Sequence, residues 1–311
     1  MYTHIPVLLK EVLAHLEPES NQNFVDATLG GAGYSEALLK ASGPNGKVLA
    51  IDLDETALAS AEQKLSKYEA RLTLAHGNFR DVDKIVVHHK FQAISGIVAD
   101  IGLSSYQIDQ SGRGISFQKR ELLDMRFDIS SNQPDARFLL HNRTEGELKD
   151  IFLKYGEDKN SGKIARNIVR YRQTHELKYT DELVEIIQES LPKPQKHKWE
   201  DTARRVFQAL RIEVNHELAN LESFLPKAFN LLASGGKLAV VTFHSLEDRI
   251  VKNYFKDLTH GCICPKEFPV CLCGRVPMGK ILTKKIITAS QDELKDNPRS
   301  KSAKLRVIQK Y

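Results

Sequence analysis

The stretch Asp26-Ala27-Thr28-Leu29-Gly30-Gly31-Ala32-Gly33-Tyr34-Ser35 places a run of small residues directly behind one carboxylate. Glycines at this spacing let a backbone turn tightly and approach a bound molecule with no Cβ in the way. A second acid, Asp52, follows, and a carboxylate there can accept hydrogen bonds from both ribose hydroxyls of a nucleoside. A dinucleotide site prefers G-x-G-x-x-G, with the pyrophosphate on a helix N-terminus. Gly30, Gly31 and Gly33 depart from that spacing, and Asp26 would repel a pyrophosphate. The same carboxylate suits a cation such as the amino-acid end of S-adenosylmethionine. Asp54 is expected to cap the helix that follows.

Three further clusters carry reactive groups. Asp100-Ile-Gly-Leu-Ser104-Ser105 offers a carboxylate and two hydroxyls after an apolar run. His244-Ser245-Leu-Glu247-Asp248-Arg249 sets Ser, His and Asp side by side, but hydrolase triads assemble through space, not along the chain. A helix start explains it better, with Ser245 as N-cap, Asp248 three residues on and Glu247 favoured by the helix dipole; His244 and Arg249 are then candidates for the substrate side. Cys262-x-Cys264 and Cys271-x-Cys273 bring four thiols into one segment, and the rest of the chain has none. Four thiolates can bind zinc, yet C-x-C is less typical of structural zinc than C-x-x-C. The thiols are therefore read as reduced groups in a loop, and no metal is assigned.

The elements that position these residues follow from periodicity. Apolar runs at 23–30, 47–54, 71–79 and 93–102 alternate with helical stretches, the pattern of a parallel sheet covered on both faces. Right-handed crossovers make it a doubly wound, Rossmann-like α/β sheet. From about 106 to 200 the sequence holds only amphipathic helical stretches. The βα pattern then resumes with one long helix from Ala203 to about 233 and a strand at 237–244. The division expected is a discontinuous sheet domain, 1–105 and 201–311, interrupted by an all-helical insert, 106–200. Two late runs, GKILTKKIITA and AKLRVIQK, are expected to complete the sheet, the last as an antiparallel edge strand.

Composition narrows the class. The chain has 311 residues, a net charge of +5 and 27% charged residues, ordinary for a soluble protein. No apolar run approaches the roughly 20 residues a membrane span needs. The clustered thiols fit a reducing, cytoplasmic setting. Between 275 and 311, ten basic residues face three acidic ones, so NPRSKSAK is a candidate phosphate-binding stretch; Arg166, Arg170 and Arg172 are candidates in the insert.

Taken in order, HIPVLLKE (4–11), DATLGGAGYS (26–35), AIDLD (50–54), HGNF (76–79), VADIGLSSYQID (98–109), RGISF (113–117), LLDMRFD (122–128), YGED (155–158), FQALRIEVNHEL (207–218), GGKLAVVTFHSLEDRIVK (235–252) and NPRSKSAKLR (297–306) resemble the bacterial RsmH (MraW) methyltransferases nearly end to end. The resemblance implies an S-adenosylmethionine methyltransferase sheet with an inserted helical substrate-recognition domain. It also implies methyl transfer to the exocyclic N4 of a decoding-region cytidine in 16S rRNA of the small ribosomal subunit. From the residues themselves, no membrane association is expected and no obligatory protein partner is evident. Cofactor contacts are implied at Ala32, Gly33, Tyr34, Asp52, Phe79, Asp100 and Gln107. Tyr34 stands where the family's loop suggests histidine, and EDTARRVF replaces an HPATR-type segment.

Cytosine N4 is a weak nucleophile because its lone pair is delocalised, so an acceptor for its hydrogen and alignment with the methyl group would help. Asp100, Ser104 and Ser105 are the candidates for that work, with His244 on the substrate side. The competing readings are methyl transfer to another nucleic acid or to protein, a non-catalytic rRNA-binding assembly factor, and an NAD-dependent oxidoreductase.

Overall fold

The computed structural model describes residues 6–103, 111–129, 132–265 and 272–311. Two compact units result. One comprises residues 1–102 and 218–311, the other 103–217.

The first unit is built on a seven-stranded sheet of order β3-β2-β1-β4-β5-β7-β6. Its strands are β1 (Asn23–Asp26), β2 (Val48–Asp52), β3 (Leu72–His76), β4 (Ile94–Asp100), β5 (Leu232–Thr242), β6 (Gly279–Ile281) and β7 (Lys304–Lys310). The first five are parallel; β7 is antiparallel to both β5 and β6. Side chains alternate between the two faces, as a pleat requires. Phe24, Val48, Ala50, Val98, Ala239, Val241, Leu305 and Val307 point into one buried cluster. There they meet α1 (Leu9–Leu16), α2 (Gly33–Ala41) and α3 (Glu55–Lys64). Val25, Leu49, Ile51, Ile97, Ala99, Leu238, Val240 and Ile308 point into the other, against α4 (Val82–His88) and two later helices. Every central strand is thus apolar on both sides, which is why the sequence shows continuous runs there.

The last run does not form the edge. β7 lies inside the sheet, and the three-residue β6 is outermost. Leu305, Val307 and Ile308 are fully buried, so β7 needs cover on both faces and a neighbour on both sides.

The second unit contains α5 (Ala136–Asn142), α6 (Glu145–Lys154), α7 (Ser161–Tyr171), α8 (Thr180–Ser190) and α9 (Trp199–Asn215) around their own core. α6 opens with a capping box in which Thr144 and Glu147 satisfy each other's backbone N–H groups. Asp158 is buried and accepts two hydrogen bonds from Arg205, at 2.9 and 2.6 Å.

This unit ends later than 200. Ala203, Val206, Phe207 and Leu210 of α9 belong to its core. The single long helix expected from 203 onward is two, because His216 adopts a left-handed conformation with φ 52°. Asn215 fixes the break: its side chain donates to Met125 O and Arg211 O and accepts from Phe127 N. α10 (Glu217–Leu231) then leads into β5, and α11 (Ser245–Thr259) leaves it; a short α12 (Gln291–Asp296) precedes β7.

Among the described residues, no helix is long and apolar enough to cross a membrane.

Candidate cofactor and catalytic site

Three neighbouring parallel strands, β2, β1 and β4, each end in aspartate: Asp52, Asp26 and Asp100. Their carboxyl ends are where an open α/β sheet gathers ligand, at the point where strand order reverses.

Asp26 is completely buried. Ser35 Oγ donates to its Oδ2 at 2.7 Å, and Thr28 N to its Oδ1 at 3.3 Å. Burial pushes its carboxyl up to about 6, with the charge of Asp52 adding to the effect. Asp52 accepts from Gly30 N at 2.8 Å and from Asp54 N at 2.9 Å, and burial raises its pKa too. Gly30 reaches that carboxylate with φ 48°, a conformation glycine adopts without strain.

Asp100 sits over the same loop. Its backbone N–H donates to Thr28 Oγ1 at 2.7 Å, and its Oδ1 accepts from Gly102 N at 3.0 Å. Part of its surface stays open, yet burial pushes its pKa up to about 7, with the negative charges of Asp26 and Glu247 acting in the same direction.

The remaining loop residues form the floor. Ala32 has φ 62° and starts α2 without a side-chain cap. A Cβ on Gly33 would collide with Pro6, so that position requires glycine. Tyr34 is buried and donates its hydroxyl to Val7 O, and its polar group tempers the rise at Asp100. The tyrosine thus ties the loop to the segment before α1. Lys64 Nζ donates to Gly31 O at 2.9 Å. Asp54 caps α3 through Thr56 N at 2.9 Å, as expected. Phe79 follows β3 and packs edge-on against Phe224 with ring centroids 5.3 Å apart, while Gly77 N donates to Asp52 O at 2.9 Å.

Sequence reasoning placed the start of α11 one residue late. The N-cap is His244, whose Nδ1 accepts from Glu247 N at 3.4 Å, and Glu247 closes the box by accepting from His244 N. Ser245 is the first helical residue and Asp248 is not the reciprocal partner. Instead Asp248 holds Arg306 through two hydrogen bonds, at 2.6 and 3.1 Å. Glu247, almost wholly buried, is a functional candidate the sequence did not reveal, since only the fold brings it to Asp100. Phe243 fills the space beside Gly102, where a Cβ would meet its ring.

Ser104, Ser105, Gln107 and Cys271 lie outside the described residues. Of the basic candidates, Arg306 pairs with Asp248, Lys310 Nζ donates to Asn230 O and Leu232 O, and Arg275 donates to Asp257 O. Arg166 pairs with Glu145 and Arg172 donates to Leu140 O. A cavity of about 290 Å³ near the sheet's antiparallel side is lined by Lys252, Lys256, Lys284 and Arg306 together with Phe255 and Ile281. Lys252 and Lys256, spaced by one helical turn of α11, are additional basic candidates.

The arrangement fits a cationic nucleoside. Among the described residues, the hydrogen-bond donors to the Asp26, Asp52 and Asp100 carboxyls are backbone N–H or hydroxyl groups. Their raised pKa values mark carboxylates that a nearby positive charge would stabilise.

A family model described as the MraW methylase family matches residues 1–311. A protein from Geobacter sp. (strain M21), named ribosomal RNA small subunit methyltransferase H, is 46% identical over 312 positions, covering 99% of either chain. One of the same name from Heliobacterium modesticaldum is 44% identical, covering 100% of this chain and 99% of its own. Among solved structures, an rRNA methylase from Streptococcus thermophilus matches with TM-score 0.42 at 12% identity, covering 99% of this chain and 98% of its own.

Proposed function

The chain belongs to the MraW methylase family, and from that premise we propose that it transfers the methyl group of S-adenosylmethionine to the exocyclic N4 of a cytidine in the decoding region of 16S rRNA. The observation that carries this reading is the trio of strand-end aspartates around one glycine loop. The relatives' name, which specifies small-subunit rRNA, supports the acceptor.

When bound, the cofactor supplies an electrophilic methyl group on sulfur. Asp52 would hold its ribose, and the backbone at Ala32 and Gly33 would approach its amino-acid end, where Asp26 provides charge. Phe79 would pack on adenine. Asp100, at the mouth of β4, would accept a hydrogen bond from the target amine, increasing the amine's tetrahedral character. Gln107, Ser104 and Ser105 complete the proposal on the cofactor and base sides, and His244 stands on the substrate side as the cap that fixes α11. The enzyme is proposed to be cytoplasmic and to act on the small subunit or its RNA.

The Asp52→Ala variant is expected to weaken S-adenosylmethionine binding about 10–150-fold, the equivalent of roughly 1.5–3 kcal/mol for charge-assisted hydrogen bonds to ribose. Isothermal titration checks this; an unchanged Kd would remove Asp52 from the site. The double variant Lys252→Ala/Lys256→Ala is expected to weaken RNA binding and to lower the slope of log K against log salt by about 1–2, if both contact phosphate. An unchanged slope assigns those lysines to the solvated surface.

The decisive assay incubates the protein with labelled S-adenosylmethionine and small subunits lacking the modification, then identifies the methylated nucleoside by mass spectrometry. N4-methylcytidine at one position supports the proposal. Labelling of another base or of protein replaces the acceptor, and cofactor binding without any transfer favours a non-catalytic rRNA-binding role.

A further inference from the structure

We propose that Cys262, Cys264 and Cys273 form a thiolate site for a zinc ion in the loop between α11 and β6. The three Sγ atoms all lie within 4.8 Å of one another. Cys262 Sγ and Cys273 Sγ are 3.8 Å apart. A disulfide would bring them to about 2.05 Å, so the pair is unbridged. Zinc–sulfur bonds of about 2.3 Å at tetrahedral angles place sulfurs about 3.8 Å apart, which matches the observed separation.

Backbone geometry points the same way. Cys264 N donates to Cys262 Sγ at 3.4 Å, and Leu272 N donates to Cys264 Sγ at 3.4 Å. Amide N–H groups directed at sulfur complement the charge of a metal-ligating thiolate. The C-x-C spacing that argued against zinc in the sequence is therefore compatible with it. Cys262 and Cys264 converge on one point with Cys273, and the intervening amide turns back onto the first sulfur.

The described part of the loop has a use for such a fastening. Among its described residues, Ile263 is 63% exposed, Leu272 74% and Val276 69%. Side chains that bury so little add little core, and small core-poor structures are commonly fixed by metal or disulfide instead. Its return is anchored where Met278 N donates to Leu258 O at 2.8 Å. The fourth zinc position falls to water.

The site involves none of the strand-end carboxylates, so its test is independent of the methyl acceptor. The protein is purified without chelators, incubated with zinc under reducing conditions and desalted, and its metal content is measured. About one zinc per chain is expected. Replacement by cobalt(II) should give the thiolate-to-cobalt charge-transfer absorption and intense visible bands of tetrahedral sulfur ligation. The triple variant Cys262→Ser/Cys264→Ser/Cys273→Ser should bind no metal while keeping its S-adenosylmethionine Kd within about twofold, which certifies its fold. Metal-free wild-type protein with reduced thiols, a cobalt spectrum without thiolate bands, or stoichiometric zinc retained by the triple variant would each overturn the proposal.

Discussion

Replacing Asp100 with asparagine is expected to lower methyl-transfer turnover at saturating cofactor by roughly 10²–10⁴-fold, the range for loss of a positioned proton acceptor. The substitution keeps the shape and the amide can still receive Gly102 N–H, so the loop should survive it. What it removes is the charge. If Asp100 only organised the cofactor, KM for S-adenosylmethionine would rise and turnover would stay near wild type, and that outcome would end its proposed chemical role.

The same residue predicts a pH dependence. In the cofactor-free protein Asp26 is held near about 6 and Asp100 near about 7, chiefly by burial. Both values lie above the ordinary carboxylate pKa of about 4. The folded state therefore binds more protons than the unfolded chain across this window, and stability falls as pH rises from about 4 through about 7. A bound cation favours the ionised carboxylates, so cofactor affinity is expected to rise over the same interval, with protons released on binding. Titration calorimetry in buffers of different ionisation enthalpy measures that release. Affinity that is flat from pH 5 to pH 8 would contradict it.

The largest effect on stability is expected from Asp248→Ala, at about 3–5 kcal/mol, the typical cost of leaving one member of a buried ion pair alone. Asp248 on α11 and Arg306 on β7 are both more than nine-tenths buried and joined by two hydrogen bonds. They fasten the helix to the strand that sits between β5 and β6. Urea unfolding should show a lower midpoint with little change in slope. The double variant Asp248→Ala/Arg306→Met should recover much of the loss, because no charge is then stranded. A loss under about 1 kcal/mol in the single variant would show that water reaches Arg306.

The sequence made the parallel half of the sheet legible because those strands are buried on both faces and turn directly into helices. Asp26, Asp52, Asp100 and the glycine loop could be placed because each lies at a strand end. Other features depended on partners far along the chain. The break at His216 follows from Asn215 bonding to Met125 and Phe127, about ninety positions away, which helical periodicity cannot register. β7 reads as a short apolar run either at an edge or inside; only its burial on both faces distinguishes them. Glu247 looked like an ordinary helix-start acid until the fold set its charge near Asp100. His244, proposed for the substrate side, also caps α11 through Nδ1, a role that its position before a helix start left open.

The interruption of the sheet unit has a consequence for biosynthesis. Translation delivers β1 to β4 first, then all of residues 103–217, and only afterwards β5 and β7. The helical unit can thus close its core on the emerging chain while β4 still lacks its outer neighbour. The part of the protein encoded in the middle is the first to be able to finish folding, and the part that begins the chain is completed last, when β7 leaves the exit tunnel.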